Sequence, residues 1–413
     1  MLPALKERLT MITSNDIRNR KIALGITTAE LAYLAELPIG TVSKIITGET
    51  KNPKLLTIEK LDSALTKEES RRRISAYLQA MKDYYEAHPE AMGEIDKFCG
   101  SNSSKHRGIP SHNQLFEVDD YKKIRVIIDT DAACEADDPF AIVHALLSQK
   151  LIVKGITAAH FNCEGSVERS YAEIETILDA MNMDVPHFMG EEGPLKPSEA
   201  TATGKITSDQ ATSDAVNFII GEALSSDPHP LYILCQGAIT NLATAILKCP
   251  EIVDRINVIW IGTHGELTEI PYREFNAGND VKAANVVLSS GVNLSLVPST
   301  VYSTVNIGIA ELQTEVYPYG AIGRHLFEQL VAYNNSEAAE WTKGESWSLG
   351  DSPAVAIALN PWCGHYKQIG APIIGEDTSS TFVDGRPLIT IYTDIDSRYV
   401  LGDMIAKIKL FAM

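Results

Sequence analysis

The sequence predicts an α/β body, an open and mostly parallel sheet with helices on both faces, preceded by a small all-α unit. Three observations carry this prediction. From about residue 121 onward, short β-branched runs alternate with helical stretches. Strands that are apolar throughout belong in parallel sheets covered on both faces. Before residue 66 the apolar spacing is helical. Charge divides at the same place, with nine basic and seven acidic side chains in residues 1–66 against 27 and 47 in the remainder.

The opening segment reads as four helices. Ile17, Ile22 and Leu24 belong to the first. Thr28-Ala-Glu-Leu-Ala-Tyr-Leu-Ala35 is the second, with Thr27 or Thr28 as its N-cap. A break at Glu36-Leu-Pro38 precedes a third over Ile39–Ile46, stopped by Gly48. Asn52-Pro53 opens a fourth over Leu55–Leu65, with Leu56, Ile58, Leu61 and Leu65 facing inward. Residues 67–98 read as one further helix or a pair, and 99–114 as a small, polar, aperiodic linker. The expected organisation is therefore 1–66, a helical and polar connector over 67–120, and a body over 121–413.

Within the body, strands are expected at Arg125–Ile128, Val153–Ile156, Leu231–Leu234, Val258–Ile261 and Leu294–Val297. Helices are expected at Pro139–Ser148, Tyr171–Met181, Ala215–Leu224, Asn241–Leu247 and Lys282–Ser289.

Composition narrows the function classes. The 413 residues carry a formal charge of −18, so the chain as a whole is not a polyanion binder, although a local module can be. With 45% apolar and 22% charged residues it is globular rather than disordered. No run reaches the roughly 18 apolar residues of a membrane span. The first stretch lacks the apolar core of a secretory signal. Six cysteines lie far apart without a C-x-x-C spacing, which argues against a zinc ribbon or disulfide scaffold. Reduced thiols and a cytoplasmic location are the expectation.

Open α/β sheets bind ligands outside the carboxyl ends of their strands, and the polar clusters follow the strands there. Asp129-Thr-Asp131 and Glu135-Ala-Asp137-Asp138 follow the first run. His160-Phe-Asn162, Gln236 and His264 follow later ones, with Glu274-Phe-Asn276 and Gly350-Asp351 further on. Carboxylates as close as Asp129, Asp131, Asp137 and Asp138 require protonation, hydrogen bonding or a cation, and a hard divalent ion takes oxygen ligands. Asp138 before Pro139 also has the form of a helix N-cap with proline at N1.

These motifs, in this order, resemble those of the inosine–uridine-type nucleoside hydrolases over about residues 123–413. The matching segments are Asp129-x-Asp131…Asp137-Asp138, Ile239-Thr-Asn241 before Pro250-Glu-Ile…Arg255-Ile256, Glu274-Phe-Asn276 before Asp280-Val-Lys-Ala-Ala284, and Asp351-Ser-Pro353. The resemblance implies that family's open, mostly parallel sheet and hydrolysis of the N-glycosidic bond of a ribonucleoside or related N-riboside. It implies Ca²⁺ held by Asp131, Asp138, Asp351 and the backbone carbonyl of Gln236. Asp137 would hold the ribose hydroxyls and take a proton from a water that Ca²⁺ activates. Asn162, Glu274 and Asn276 would bind the remaining ribose oxygens.

Two departures from the family pattern stand out. The loop Ala132-Ala-Cys-Glu-Ala136 is longer than usual and adds Glu135. Gly350 replaces the histidine that precedes the metal-binding aspartate and can protonate the leaving base. His160 is the expected substitute acid, with His264 as another candidate, and Trp347 or Tyr272 would stack on the base.

Thr28–Leu65 resembles a helix-turn-helix of the Cro/C1 repressor type, through Ala29-Glu-Leu-Ala32, Gly40-Thr-Val-Ser-Lys-Ile45, Asn52-Pro53 and Leu61. By that resemblance Ile39–Thr47 would enter the major groove with Thr41, Ser43 and Lys44 outward, while Lys51 and Lys54 touch phosphates. The partners implied are a nucleoside or other ribose-containing small molecule, DNA through residues 1–66, and further copies of the chain in a dimer or tetramer. A second reading is a transcriptional regulator whose body senses a nucleoside or ribose with little turnover.

Overall fold

The computed structural model describes residues 13–35, 37–50, 53–54, 56–58, 60–62, 64–65, 114–195, 212–267 and 269–413. The expected connector helices, most of the linker and Lys51 lie outside the described residues. The chain divides into two compact units, residues 1–103 and 104–413.

The first unit contains helices Ser14–Ala23, Thr28–Leu34 and Ile39–Ile46, with further helical residues between 56 and 65. Thr27 is the N-cap of the second helix: its hydroxyl accepts from Glu30 N–H at 3.1 Å while Glu30 accepts from Thr27 N–H at 2.6 Å. This reciprocal pair satisfies two donors that a helix end leaves open. Thr13 and Asp16 do the same for the first helix. Ile17, Leu31, Val42, Ile45, Leu61 and Leu65 form its core. Leu56, expected inward, is exposed, and Ile22 of the first helix is exposed as well. At about 100° per residue, Ile22 falls well round the helix from Ile17 and Leu24, and Leu56 falls opposite the stripe of Ile58, Leu61 and Leu65. Thr41, Ser43 and Lys44 are exposed on the third helix, while Val42 and Ile45 are buried.

The second unit contains β1 (Ile124–Thr130), β2 (Leu151–Ala158), β3 (His187–Met189), β4 (Leu231–Cys235), β5 (Ile256–Ile261) and β6 (Asn293–Val297). Later come β7 (Asn306–Gly308), β8 (Ser346–Ser348), β9 (Tyr366–Gly370), β10 (Ile373–Ile374), β11 (Ser380–Thr381) and β12 (Leu388–Tyr392). Eight strands form one sheet in the order β3-β2-β1-β4-β5-β6-β12-β9. Every pairing is parallel except β12 with β9. β1, β2, β4, β5 and β6 coincide with the expected apolar runs. β3 and β9 escape the sequence reading because they are edge strands without an apolar run, and β12, although largely apolar, is not among the expected strands either.

All seven residues of β1 are buried. One apolar layer packs helices Asp138–Leu146, Ser166–Ala180, Gly320–Asn334, Ser352–Leu359 and Ser397–Ala412 on one face. A second packs Asp214–Leu224, Thr240–Lys248 and Val281–Ser290 on the other. Among the described residues no helix is long and apolar enough to cross a membrane.

Candidate active site

β1 lies at the centre of the sheet between β2 and β4, where the strand order reverses direction. A doubly wound sheet opens a crevice at that point. Asp129 and Cys235 close the β1–β4 register, and Gln236 N–H donates to Asp129 O at 2.8 Å. The chain therefore leaves the two strands side by side, carrying Asp131 and Gln236 to the mouth of a cleft of about 400 Å³.

Asp137, Asp138 and Asp351 make no capping bonds to the helices they adjoin. The helix Asp138–Leu146 starts at Asp138 with Pro139 in its first turn, and no side chain caps it. The expected N-cap role of Asp138 is not seen, because Thr130 donates its hydroxyl to Asp138 Oδ1 instead. Asp137 Oδ2 accepts from Gly350 N–H at 2.9 Å. Asp351, just before the helix Ser352–Leu359, likewise makes no capping bond. One carboxylate oxygen from each of Asp137, Asp138 and Asp351 lies within 4.8 Å of the others. Asp131 lines the same cleft and its Oδ2 is buried without a partner. Gly237 is required beside it, since a Cβ there would stand 2.7 Å from Asp131 Oδ1.

Burial is the main force on these groups and repulsion the next. Burial pushes Asp137 up to about 6. Burial and the Asp137 charge push Asp138 up to about 7. Burial and the Asp138 charge hold Asp131 and Asp351 well above the carboxylate range. Glu135, from the lengthened loop, lines the cleft and is raised to about 8 by burial and by Asp137 and Asp138. At neutral pH the cluster is at ease only when protons or a cation neutralise it. Behind it, Asp129 Oδ1 accepts from Thr157 Oγ1 at 2.6 Å and Asn241 Nδ2 at 2.8 Å, tying β1 to β2 and to the helix Thr240–Lys248.

Glu274 and Asn276 form the opposite wall. Glu274 caps the helix Phe275–Asn279, accepting from Ala277 N–H at 2.8 Å and Asn276 N–H at 3.3 Å, and Tyr302 OH donates to it at 3.0 Å. Its own N–H donates to Thr378 Oγ1 at 2.9 Å. Burial still raises its carboxyl, opposed by these donors and by Thr263 N–H. Thr263 and Thr378 have φ of 65° and 66°, a left-handed conformation that strains a β-branched residue. Of these two strained threonines, Thr263 holds the Glu274 carboxylate through its N–H and Thr378 holds the Glu274 backbone N–H through its hydroxyl. Asn276 Nδ2 donates to Gln236 O at 3.1 Å and Ile261 O at 2.9 Å, linking this wall to β4 and β5.

The family model described as "Inosine-uridine preferring nucleoside hydrolase" matches residues 126–406. The chain belongs to this nucleoside hydrolase family. Among relatives, it is 29% identical over 187 residues to the non-specific ribonucleoside hydrolase RihC of Escherichia coli, covering 42% of this chain and 60% of that protein. It thus spans about three fifths of that relative's length. The pyrimidine-specific ribonucleoside hydrolase RihA of E. coli is 25% identical, over 70% of this chain and 99% of RihA. The purine-preferring ribonucleoside hydrolase from Gardnerella vaginalis shares the fold, with a TM-score of 0.57, 22% identity and coverage of 70% and 99%.

Of the site residues anticipated in this nucleoside hydrolase family member, Asp131, Asp137, Asp138, Gln236, Glu274, Asn276 and Asp351 converge on one cleft. His160, Asn162 and Trp347 do not line it. His160 is 1% exposed, accepts Asn162 N–H on Nδ1 at 3.1 Å and therefore carries its proton on Nε2, 2.7 Å from Thr240 Oγ1. Thr240 passes the chain on to Asp280 Oδ2 at 2.8 Å. Burial lowers the imidazole to about 4, against the pull of Asp280, so it stays neutral and structurally engaged. Asn162 is exposed on a left-handed turn with φ 53°. Trp347, on β8, is buried in the core at right angles to Tyr333, with ring centroids 5.6 Å apart. That leaves it no face for a base. His264 is equally committed, to Ser299 Oγ and Tyr272 O at 2.7 Å each.

Sequence reading missed Tyr302, Thr263 and Thr378. Tyr302 follows β6 at a strand's carboxyl end, a signal that was present. Nothing in a threonine announces a left-handed backbone.

Proposed function

We propose that the chain hydrolyses the N-glycosidic bond of ribonucleosides or related N-ribosides. The observation that carries this reading is the convergence of Asp131, Asp137, Asp138 and Asp351 with Glu274 and Asn276 in one cleft at the sheet's switch point. Such a set suits a sugar whose ring gains positive charge as the base leaves.

The donor set fits Ca²⁺. Three carboxylates lie within 4.8 Å of one another, a fourth has a buried oxygen without a donor, and all candidate ligands are oxygens. Asp131, Asp138, Asp351 and the Gln236 carbonyl would hold the ion. Ca²⁺ would supply Lewis acidity toward the attacking water and a grip on the ribose diol.

The chain's own residues do the rest. Gly350 N–H fixes Asp137 Oδ2, so that the carboxylate is held in place to take the proton from water. Glu274, anchored on its own helix and by Tyr302, supplies fixed negative charge beside the sugar. Asn276 braces the two strand ends that form the floor. The walls hold these groups in position before substrate arrives, which lowers the cost of orienting it.

A second reading, a nucleoside or ribose sensor with little turnover, is favoured by Gly350 and by the absence of any described histidine from the cleft. Incubating the purified chain with a nucleoside panel and Ca²⁺ separates the two. Free base and ribose support hydrolysis. Nucleoside-dependent thermal stabilisation without product supports the sensor.

The first unit is read as a DNA-binding module working within a homo-oligomer. The exposure of Thr41, Ser43 and Lys44 beside buried Val42 and Ile45 supports that reading. Replacing all three by alanine in the full chain should abolish a mobility shift on promoter DNA. An unchanged shift counts against the module.

A further inference from the structure

Gln236 carries more polar surface than its assigned role uses. Its backbone carbonyl is the atom that family resemblance gives to the ion, and that atom is already braced by Asn276. The side chain is a separate matter. It is 1% exposed, and both Oε1 and Nε2 are buried without a hydrogen-bond partner. Native proteins seldom leave one end of a buried amide unpaired, let alone both, because desolvation is uncompensated. A leucine or methionine would fill the same space without that cost.

The place of this amide decides what would pair it. Gln236 and Asp131 line the same cleft, and Asp131 Oδ2 is also buried without a partner. Water does not reach these atoms, and the surrounding wall consists mainly of acceptors. Oε1 therefore lacks a donor there, whereas a cation answers both it and Asp131. Nε2–H is left without an acceptor in this cleft.

We propose that the side-chain Oε1 of Gln236 is an additional, neutral oxygen ligand for the cation. This rests on the cation reading above and deepens it. Ca²⁺ takes 6–8 oxygens and its affinity follows ligand number and charge. An amide oxygen completes the shell without adding a further negative charge to four crowded carboxylates.

Calorimetric titration of CaCl₂ into the EDTA-stripped full chain tests this without any substrate. Gln236→Leu keeps the backbone carbonyl and should weaken Ca²⁺ binding by about tenfold or more. Its ion-free melting temperature should not fall, since an unpaired amide is removed. Gln236→Glu should bind at least as tightly as the parent, which guards against loss of fold as the cause. Equal affinity of the parent and Gln236→Leu overturns the side-chain assignment while leaving the carboxylate site standing. A parent chain that binds no Ca²⁺ overturns both.

Discussion

Gly350 N–H donates to Asp137 Oδ2 at 2.9 Å, and a Cβ at position 350 would stand 3.2 Å from that oxygen and 3.2 Å from Tyr302 Cδ2. Gly350 is therefore hemmed in by the group it positions and by the Tyr302 ring. A side chain placed at position 350 meets both. Both Gly350→Ala and Gly350→His should lower kcat on inosine by roughly 10- to 100-fold, because displacement of Asp137 or Tyr302 misplaces reacting groups. A rise in kcat for Gly350→His would show that the space is free.

Asp131→Asn removes a carboxyl whose ionisation burial and the neighbouring carboxylates oppose. The ion-free chain should melt at a higher temperature than the parent, and Ca²⁺ should no longer raise it. Differential scanning calorimetry in EDTA and in CaCl₂ reads both effects. A variant that loses stability in EDTA and keeps its Ca²⁺ response would remove Asp131 from the ligand set.

The same carboxyls set a pH dependence. Asp137 and Asp138 are raised to about 6 and 7 in the fold, against about 4 in an unfolded chain. The folded state therefore binds their protons more tightly. Their contribution favours the fold below about pH 4 and is lost as pH rises through 6 to 7. A cation that displaces those protons reverses the loss, so the Ca²⁺-induced rise in melting temperature should be small at pH 5 and large at pH 8. Melting curves across that range check it, and a Ca²⁺ effect independent of pH would contradict it.

His160 is neutral, lowered to about 4, and engaged with Thr240 and Asn162. His160→Ala should cost about 1–3 kcal/mol of stability by leaving a buried hydroxyl partly unpaired. The acid limb of the kcat profile between pH 5 and 8 should keep its midpoint. A shift of that midpoint would return His160 to the chemistry.

Strands β1, β2, β4, β5 and β6 were legible because they are apolar runs, and Asp131, Asp137, Asp138 and Gln236 because they follow such runs. Asp351 and Glu274 follow no expected run and are reached only through the motif resemblance. His160 and Trp347 misled for one shared reason: residue type and position suggest chemistry, but burial and existing partners decide whether an atom is free for it. Thr378 illustrates the opposite loss. It is 104 residues from Glu274, and only the folded chain puts its hydroxyl on the Glu274 N–H. Leu56 shows that a helical pattern can be read correctly while one residue is assigned to the wrong side.

Release of free base and ribose from inosine and uridine, followed by chromatography before and after EDTA treatment, bears most directly on the chemistry of the cleft. The account predicts product that disappears with EDTA and returns on addition of CaCl₂. Undiminished release in EDTA would contradict it.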